Sequence, residues 1–138
     1  MTSTASEAKI REEIELAVDD FDRMALIFAR LGFDAVQTYE KYRETYHWGE
    51  VEVVLDEMPF GTFVELEGPS DERLKAAAAA LGLDWSRRVL ANYLALMELA
   101  RSAFDLPFRD LTFANFQRHP VDMGTLLPVC IVGEEGEW

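Results

Sequence analysis

The chain has 138 residues, of which 49% are hydrophobic and 28% charged, and this composition suits one globular domain. Its formal net charge is −13, which argues against non-specific binding to nucleic acid or to an anionic membrane surface. The single cysteine, Cys130, excludes an internal disulfide, and no apolar run approaches the roughly 20 residues of a membrane span. Residues 1–9 lack the apolar core of a signal peptide, so we expect a cytoplasmic protein.

The polar residues 1–8 are expected to form a flexible N-terminus, and residues 9–138 a single domain. Over residues 9–18 apolar and charged side chains alternate, which predicts a half-buried strand. Asp19 or Asp20 can then cap a helix that runs from Phe21 to about residue 31, where a glycine follows.

Three further strands are predicted over residues 36–47, 51–58 and 62–67, with turn residues between them. The turns are expected at Trp48-Gly49 and at residues 59–61, so the strands form an antiparallel meander. Together with the helices, this gives an α+β fold with a sheet of at least four strands.

The turn at Trp48-Gly49 fixes which residues of the first two meander strands lie opposite each other. It places Lys41 roughly opposite Asp56, and Arg43 roughly opposite Val54. Residues two apart in a strand share a face. One face of the sheet is therefore expected to carry charged side chains, namely Lys41, Arg43, Asp56, Glu65 and Glu67, with Arg11, Glu13 and Glu15 from the strand at residues 9–18.

Alternation alone leaves two interpretations of this charged face open. It is either the solvated side of an open antiparallel sheet, which is commonly polar, or the polar interior of a barrel. In a polar interior, the cations would bind phosphate oxygens and the carboxylates would bind Mg²⁺ or Mn²⁺, which prefer oxygen ligands.

The C-terminal half is predicted to be mainly helical. One helix is expected from Ser70 to Leu81 and another from about Trp85 to Arg101, and residues 129–132 could form a short strand. The aromatic segment 108–116 is interpreted as core rather than as a lid. No catalytic role is expected for His47, His119 or Cys130, since none has a metal-ligand or nucleophile–base spacing.

Three segments carry a resemblance to a known family: YEKYRETY (residues 39–46), VEVVLDEMP (51–59) and GTFVELEGP (61–69). In this order they resemble the later half of the CYTH superfamily, the triphosphate tunnel metalloenzymes, which include class IV adenylate cyclases, thiamine triphosphatases and inorganic triphosphatases. The resemblance covers about residues 9–100. It implies an antiparallel tunnel barrel, with flanking helices, around the triphosphate of a small substrate.

The resemblance also implies roles for the charged face. Lys41 and Arg43, with Arg11 from the strand predicted over residues 9–18, would bind phosphate, and Asp56 would support these cations. Together, Lys41, Arg43 and Asp56 would form the catalytic set. The divalent cation, Mg²⁺ or Mn²⁺, would be bound by carboxylates, namely Glu65, Glu67, Glu13 and Glu15. One basic residue of the C-terminal helices, Arg87 or Arg88, could reach the mouth of the tunnel, but no site role is assigned to either. The implied activity is hydrolysis of a triphosphate or cyclisation of a nucleotide.

The sequence also departs from the family pattern, because it does not show the Glu-x-Glu-x-Lys strand with which the family's domain begins. The segment Glu13-Ile14-Glu15-Leu16-Ala17 has alanine in place of the lysine. The alternative expectation is therefore a truncated, non-catalytic domain that binds anions or pairs with a second copy into a homodimer.

Overall fold

The structure is a computed structural model that describes residues 6–127. In this part of the chain it contains helices and one three-stranded antiparallel sheet, which confirms the α+β class. The helices are α1 (Phe21–Arg30), α2 (Asp71–Ala80), α3 (Tyr93–Phe104) and α4 (Phe113–Arg118). The strands are β1 (Tyr42–Trp48), β2 (Val51–Met58) and β3 (Gly61–Glu67). No helix among the described residues is long and apolar enough to cross a membrane.

The three strands form the expected meander, with β2 in the centre, but the predicted register of β1 is wrong. Arg43 lies opposite Asp56, and Trp48 lies opposite Val51. The turn therefore falls at Gly49-Glu50, where Gly49 has a φ of +60° that a residue with a side chain rarely adopts. Because the partners shift by two residues, the side chains keep the predicted face of the sheet.

The strand predicted over residues 9–18 is not present, and this segment has no regular structure and is almost entirely exposed. A strand is stable only beside a neighbour that completes its hydrogen bonds, and the described residues offer this segment none. Residues 36–41 likewise remain outside the sheet, and Tyr39 forms only an isolated bridge to Leu111. The described sheet is accordingly open, with three strands, where a tunnel barrel or a sheet of four or more strands was expected.

Two helices match their predictions closely. Helix α1 is capped by Asp20, whose side chain accepts a hydrogen bond from the backbone N–H of Arg23, and α2 is capped in the same way by Ser70. The helix predicted to start at Trp85 instead begins at Tyr93. A short 3₁₀ turn spans Trp85–Arg87, and the chain is extended before Asn92 caps α3.

The buried residues form two clusters that are anchored on β2. On one side, Val51 and Val53 contact Leu74 and Ala77 of α2. The larger cluster joins the β2–β3 turn to α3 and α4 and contains Met58, Phe60, Leu96, Met97, Ala100, Leu106, Leu111, Phe116, Met123 and Leu127. Leu111 and Phe116 are buried there, which confirms that segment 108–116 belongs to the core.

The expected flexible N-terminus falls partly outside the described residues, as does the strand suggested for residues 129–132. Residues 6–8 make specific contacts. The carboxylate of Asp71 accepts hydrogen bonds from the Ser6 hydroxyl and from the backbone N–H groups of Glu7 and Ala8, at 2.7 to 3.1 Å. These contacts attach the segment to the first turn of α2.

Candidate functional site

The charged face of the sheet forms one wall of an open groove of about 1050 Å³. Residues from the N-terminal segment, β3, the 3₁₀ turn and the start of α3 complete the groove. Its lining includes most of the predicted site, namely Arg11, Glu13, Lys41, Arg43, Glu65 and Glu67. The fold thus gathers cations and carboxylates that are far apart in the sequence.

Asp56 is the centre of the charged network beneath the groove. It lies in the middle of β2 with no exposed surface, and each of its carboxylate oxygens accepts a hydrogen bond from Arg43, Nε donating to Oδ1 at 2.6 Å. The Tyr93 hydroxyl donates to Oδ2 at 2.8 Å. Burial alone would raise the pKa of Asp56, but the hydrogen bonds from Arg43 and Tyr93 outweigh it and keep the pKa below its usual value.

Arg43 links this buried carboxylate to the groove surface. Its Nη2 also donates to Glu65 Oε2 at 2.8 Å, so the guanidinium bridges two carboxylates. The hydrogen bond to Asp56 is the main reason why the pKa of Arg43 is raised. Its Nη1 has no hydrogen-bond acceptor in the described part of the chain, which leaves N–H donors for a ligand.

Lys41 is held loosely beside the same carboxylate. Its Nζ lies 3.5 Å from Asp56 Oδ2, at the limit of a hydrogen bond. The ammonium group also lies 5.6 Å from the ring centre of Tyr93 and 6.0 Å from that of Tyr39, within the range of cation–π attraction. The aromatic rings therefore support a cation whose N–H donors are mostly uncommitted among the described residues.

Glu65 and Glu67 share one face of β3, as predicted, but their surroundings differ. Glu65 is paired with Arg43, whereas Glu67 lies directly opposite Glu52 in the sheet. Burial raises the pKa of Glu67 most, and the negative charges of Glu65, Glu52 and Glu13 raise it further. Glu67 is thus the end of the network where negative charge is concentrated.

The N-terminal segment contributes only in part. Arg11 and Glu13 line the groove, and Glu13 is near enough to Glu67 to raise its pKa. Glu15, predicted as a metal ligand, is exposed and is not among the groove-lining residues. The reason is that residues 9–18 do not form the strand that would have aligned Glu13 and Glu15 on one face.

The groove offers oxygen ligands of the kind that Mg²⁺ or Mn²⁺ prefers. Within residues 6–127, no three histidine, cysteine, aspartate or glutamate side chains converge closely enough to bind a metal ion by themselves. Mg²⁺, however, usually takes one or two protein carboxylates together with substrate phosphates and water. Glu65 and Glu67 fit that role in ligand type, and Glu67 lies directly opposite Glu52, so that carboxylates are concentrated at this end of the groove.

Tyr93 is the site residue that sequence reasoning missed. The apolar spacing of its helix placed it on the core side, and nothing in the sequence indicated that its hydroxyl meets Asp56. Its ring does pack on Phe63, at a centroid distance of 5.3 Å.

Arg87 and Arg88 both line the groove. Arg88 is bound to Glu7, donating from Nε to the backbone oxygen of that residue at 2.8 Å.

The family model for the CYTH domain matches residues 2–90, well over half of the chain. The chain therefore belongs to the CYTH domain family, as the resemblance predicted. Enzymes of this family are generally metal-dependent.

One similar protein is from Methanocaldococcus jannaschii and is named "Putative adenylate cyclase MJ0240". The two sequences are 41% identical over 61 residues, which is 44% of this chain and 35% of that protein. The chain thus spans about a third of the length of this relative. No solved structure matches the chain significantly.

Proposed function

We propose that the groove binds a small molecule containing a triphosphate and that the protein acts on its phosphate chain with the help of a divalent cation. Family membership and the name of the Methanocaldococcus jannaschii relative support an activity on triphosphates. The observation that carries the proposal is that Lys41 and Arg43 line one groove with the carboxylates of Glu65 and Glu67, and that each cation keeps N–H donors without an acceptor among the described residues.

The cations would bind phosphate oxygens. Two hydrogen bonds to Asp56 orient the Arg43 guanidinium, and its Nη1 has no acceptor within residues 6–127. Lys41 adds a compact charge beside it. Arg11 lines the same groove and is a third candidate. Although the net charge of the chain is −13, these local cations would give a bound phosphate chain direct partners.

The carboxylates Glu65 and Glu67 would bind Mg²⁺ or Mn²⁺. When bound, the cation would neutralise charge on the phosphate oxygens and stabilise negative charge that develops as a phosphorus–oxygen bond breaks. Among the chain's own residues, Arg43 and Lys41 would orient the phosphate chain by hydrogen bonds from their N–H groups. Asp56 would keep both of these cations in place.

Two reactions share this chemistry. In a triphosphatase a water oxygen attacks the terminal phosphorus, the bond from that phosphorus to its bridging oxygen breaks, and the rest of the phosphate chain leaves. In an adenylate cyclase the ribose 3′-oxygen of ATP attacks the α-phosphorus, the bond to the bridging oxygen breaks, and pyrophosphate leaves. In both reactions the nucleophile releases a proton to solvent. The name of the Methanocaldococcus jannaschii relative favours the cyclase. Thiamine triphosphate and inorganic triphosphate are the alternative substrates within the family.

The test measures phosphate release from inorganic triphosphate and cyclic AMP formation from ATP, each with Mg²⁺ or Mn²⁺. We expect metal-dependent turnover of one substrate and a loss of at least about 100-fold in the double variant Glu65→Gln, Glu67→Gln. The matched control is Glu57→Gln, Glu72→Gln, which removes two charges at exposed positions outside the groove lining. Equal activity in the two double variants would contradict the assignment of the metal ligands.

Helix α1 favours a second candidate, a binding domain without turnover that pairs with a second copy. None of its residues is buried, and large apolar side chains such as Phe21 and Ile27 are 82% and 54% exposed. The helix has Asp22 in its first turn and Arg30 in its last. Two copies packed antiparallel would therefore cover the apolar stripes and bring opposite charges together.

Sedimentation equilibrium tests this pairing. We expect a dimer that Ile27→Glu dissociates, whereas Glu12→Gln, a change in the exposed segment before α1, leaves the mass unchanged. A monomer at all concentrations would rule out the pairing, and turnover by a monomer would exclude this candidate altogether.

A further inference from the structure

Tyr93 contacts both Asp56 and Lys41 in the charged network, although it lies on a helix far from the strands in sequence. Its hydroxyl donates to Asp56 Oδ2, and its ring lies beneath the Lys41 ammonium group and against Phe63. It is the first residue of α3, whose start is fixed by the Asn92 cap. The side chain is therefore held from both ends, by the helix and by the sheet.

The hydroxyl of Tyr93 and the ammonium group of Lys41 approach the same oxygen. Asp56 Oδ2 accepts from Arg43 Nη2 and from Tyr93, whereas Lys41 Nζ is at 3.5 Å. A buried carboxylate that loses a hydrogen-bond donor takes another, because an unsatisfied charge in the interior is costly. Lys41 is the nearest donor that could move onto Oδ2 in the described part of the chain.

We propose that Tyr93 is a positioning residue that keeps Lys41 available for phosphate, by supplying a short hydrogen bond to Asp56 Oδ2 while Lys41 makes only a long contact of 3.5 Å with that oxygen. An ammonium group paired closely with a buried carboxylate would be a weaker phosphate ligand, because binding would first require that pair to separate. The ring of Tyr93 attracts the cation without occupying its N–H donors. The role in phosphate binding rests on the proposed function, but the effect on Lys41 does not.

The test follows the side-chain ammonium signals by NMR in the unliganded protein. In the wild type we expect the Lys41 ammonium to be more mobile and to exchange its hydrogens faster than that of Lys75, whose Nζ lies 2.6 Å from Glu7 Oε1. This comparison requires no variant. A Lys41 ammonium as restrained as that of Lys75 would overturn the proposal.

The variant Tyr93→Phe retains the ring and removes only the hydroxyl. We expect its Lys41 signal to become restrained and its affinity for inorganic triphosphate to fall by about threefold to tenfold. The control is Tyr46→Phe, which removes a hydroxyl that donates to Glu44 at 2.7 Å on the other face of the sheet.

Weaker binding without a change in the Lys41 signal would overturn the proposal, since a merely structural role would produce that result. An unchanged signal with unchanged binding would overturn it as well. If the wild type binds no triphosphate, the proposed function fails, and the Lys41 signals of wild type and Tyr93→Phe still decide the role of Tyr93.

Discussion

At the scale of single residues, the network depends on Asp56, a carboxylate fully buried in the central strand. A buried charge is tolerated only with good partners, and Arg43 and Tyr93 provide them. The sequence predicted that Asp56 lies on the same face of the sheet as Lys41 and Arg43. This prediction holds although the predicted register was wrong, because a shift of two residues leaves each side chain on the same face. The sequence could not predict Tyr93, since that contact depends on how α3 is placed on the sheet.

Asp56→Asn should lower the free energy of unfolding by about 2–4 kcal/mol, because Arg43 then loses the buried one of its two carboxylate partners. Urea denaturation at pH 7 measures the loss. Glu57→Gln, at an exposed neighbouring position of β2, should change the stability by less than about 0.5 kcal/mol. If Asp56→Asn changed the free energy of unfolding as little as Glu57→Gln, the Asp56–Arg43 ion pair would contribute nothing to stability.

The pH dependence of stability should report the same carboxylate. The pKa of Asp56 is lowered in the folded state, so its stabilising contribution is present above the unfolded pKa of about 3.9 and disappears as the pH falls through the lower folded value. Unfolding measured between pH 7 and pH 2 should therefore show an acid-induced loss that is smaller in Asp56→Asn. Identical profiles would contradict the assigned direction of the pKa.

Glu67 should have the opposite effect on stability. Burial and neighbouring carboxylates raise the pKa of Glu67 in the folded state, so the charged form of Glu67 destabilises the fold. The loss of stability develops as the pH rises from the unfolded pKa through the higher folded pKa. Glu67→Gln should stabilise the protein at pH 7 by about 0.2–1 kcal/mol, because like charges opposite each other in a sheet repel. Thermal denaturation without divalent cations, compared with Glu57→Gln, measures the gain, and a destabilised Glu67→Gln would contradict it.

At the scale of helices and strands, the sequence predicted best those elements that depend on interactions between neighbouring residues. Caps and apolar spacing indicated α1 and α2, and the turns indicated the three-strand meander. The prediction of a strand over residues 9–18 was wrong. Alternating apolar and charged residues indicate which side chains could face a core, but they do not indicate whether a neighbouring strand is present to pair with the segment. Helix α3 was predicted to start too early, since the Asp84 cap serves only a 3₁₀ turn and Asn92 begins the helix.

The cap of α3 should therefore have a measurable effect. Asn92 accepts a hydrogen bond from the Ala95 backbone N–H at 2.8 Å, and Asn92→Ala should cost about 0.5–2 kcal/mol of stability. Asn92→Asp retains a capping oxygen and should remain close to the wild type. Chemical denaturation of the three proteins makes the comparison, and equal losses in both variants would show that the cap is not the cause.

At the scale of the whole molecule, the described chain forms an open sheet whose central strand has buried residues on both faces, with the charged groove on one of them. The family assignment came from residues on that groove, and the family model confirmed it. The closed barrel implied by the resemblance was not visible in the described residues, because three strands cannot close on themselves. The groove therefore presents its cations and carboxylates on an open surface.

The central claim is that this groove binds a triphosphate through Lys41 and Arg43. Isothermal titration calorimetry with inorganic triphosphate in the presence of Mg²⁺ tests this claim most directly. The measurement compares Lys41→Met with Lys75→Met. Both variants lose one positive charge, but Lys75 is not among the groove-lining residues. We expect the wild type and Lys75→Met to bind alike and Lys41→Met to bind at least about tenfold more weakly, as expected for loss of a charge-assisted hydrogen bond. No binding by the wild type, or an equal loss in the two variants, would contradict the account.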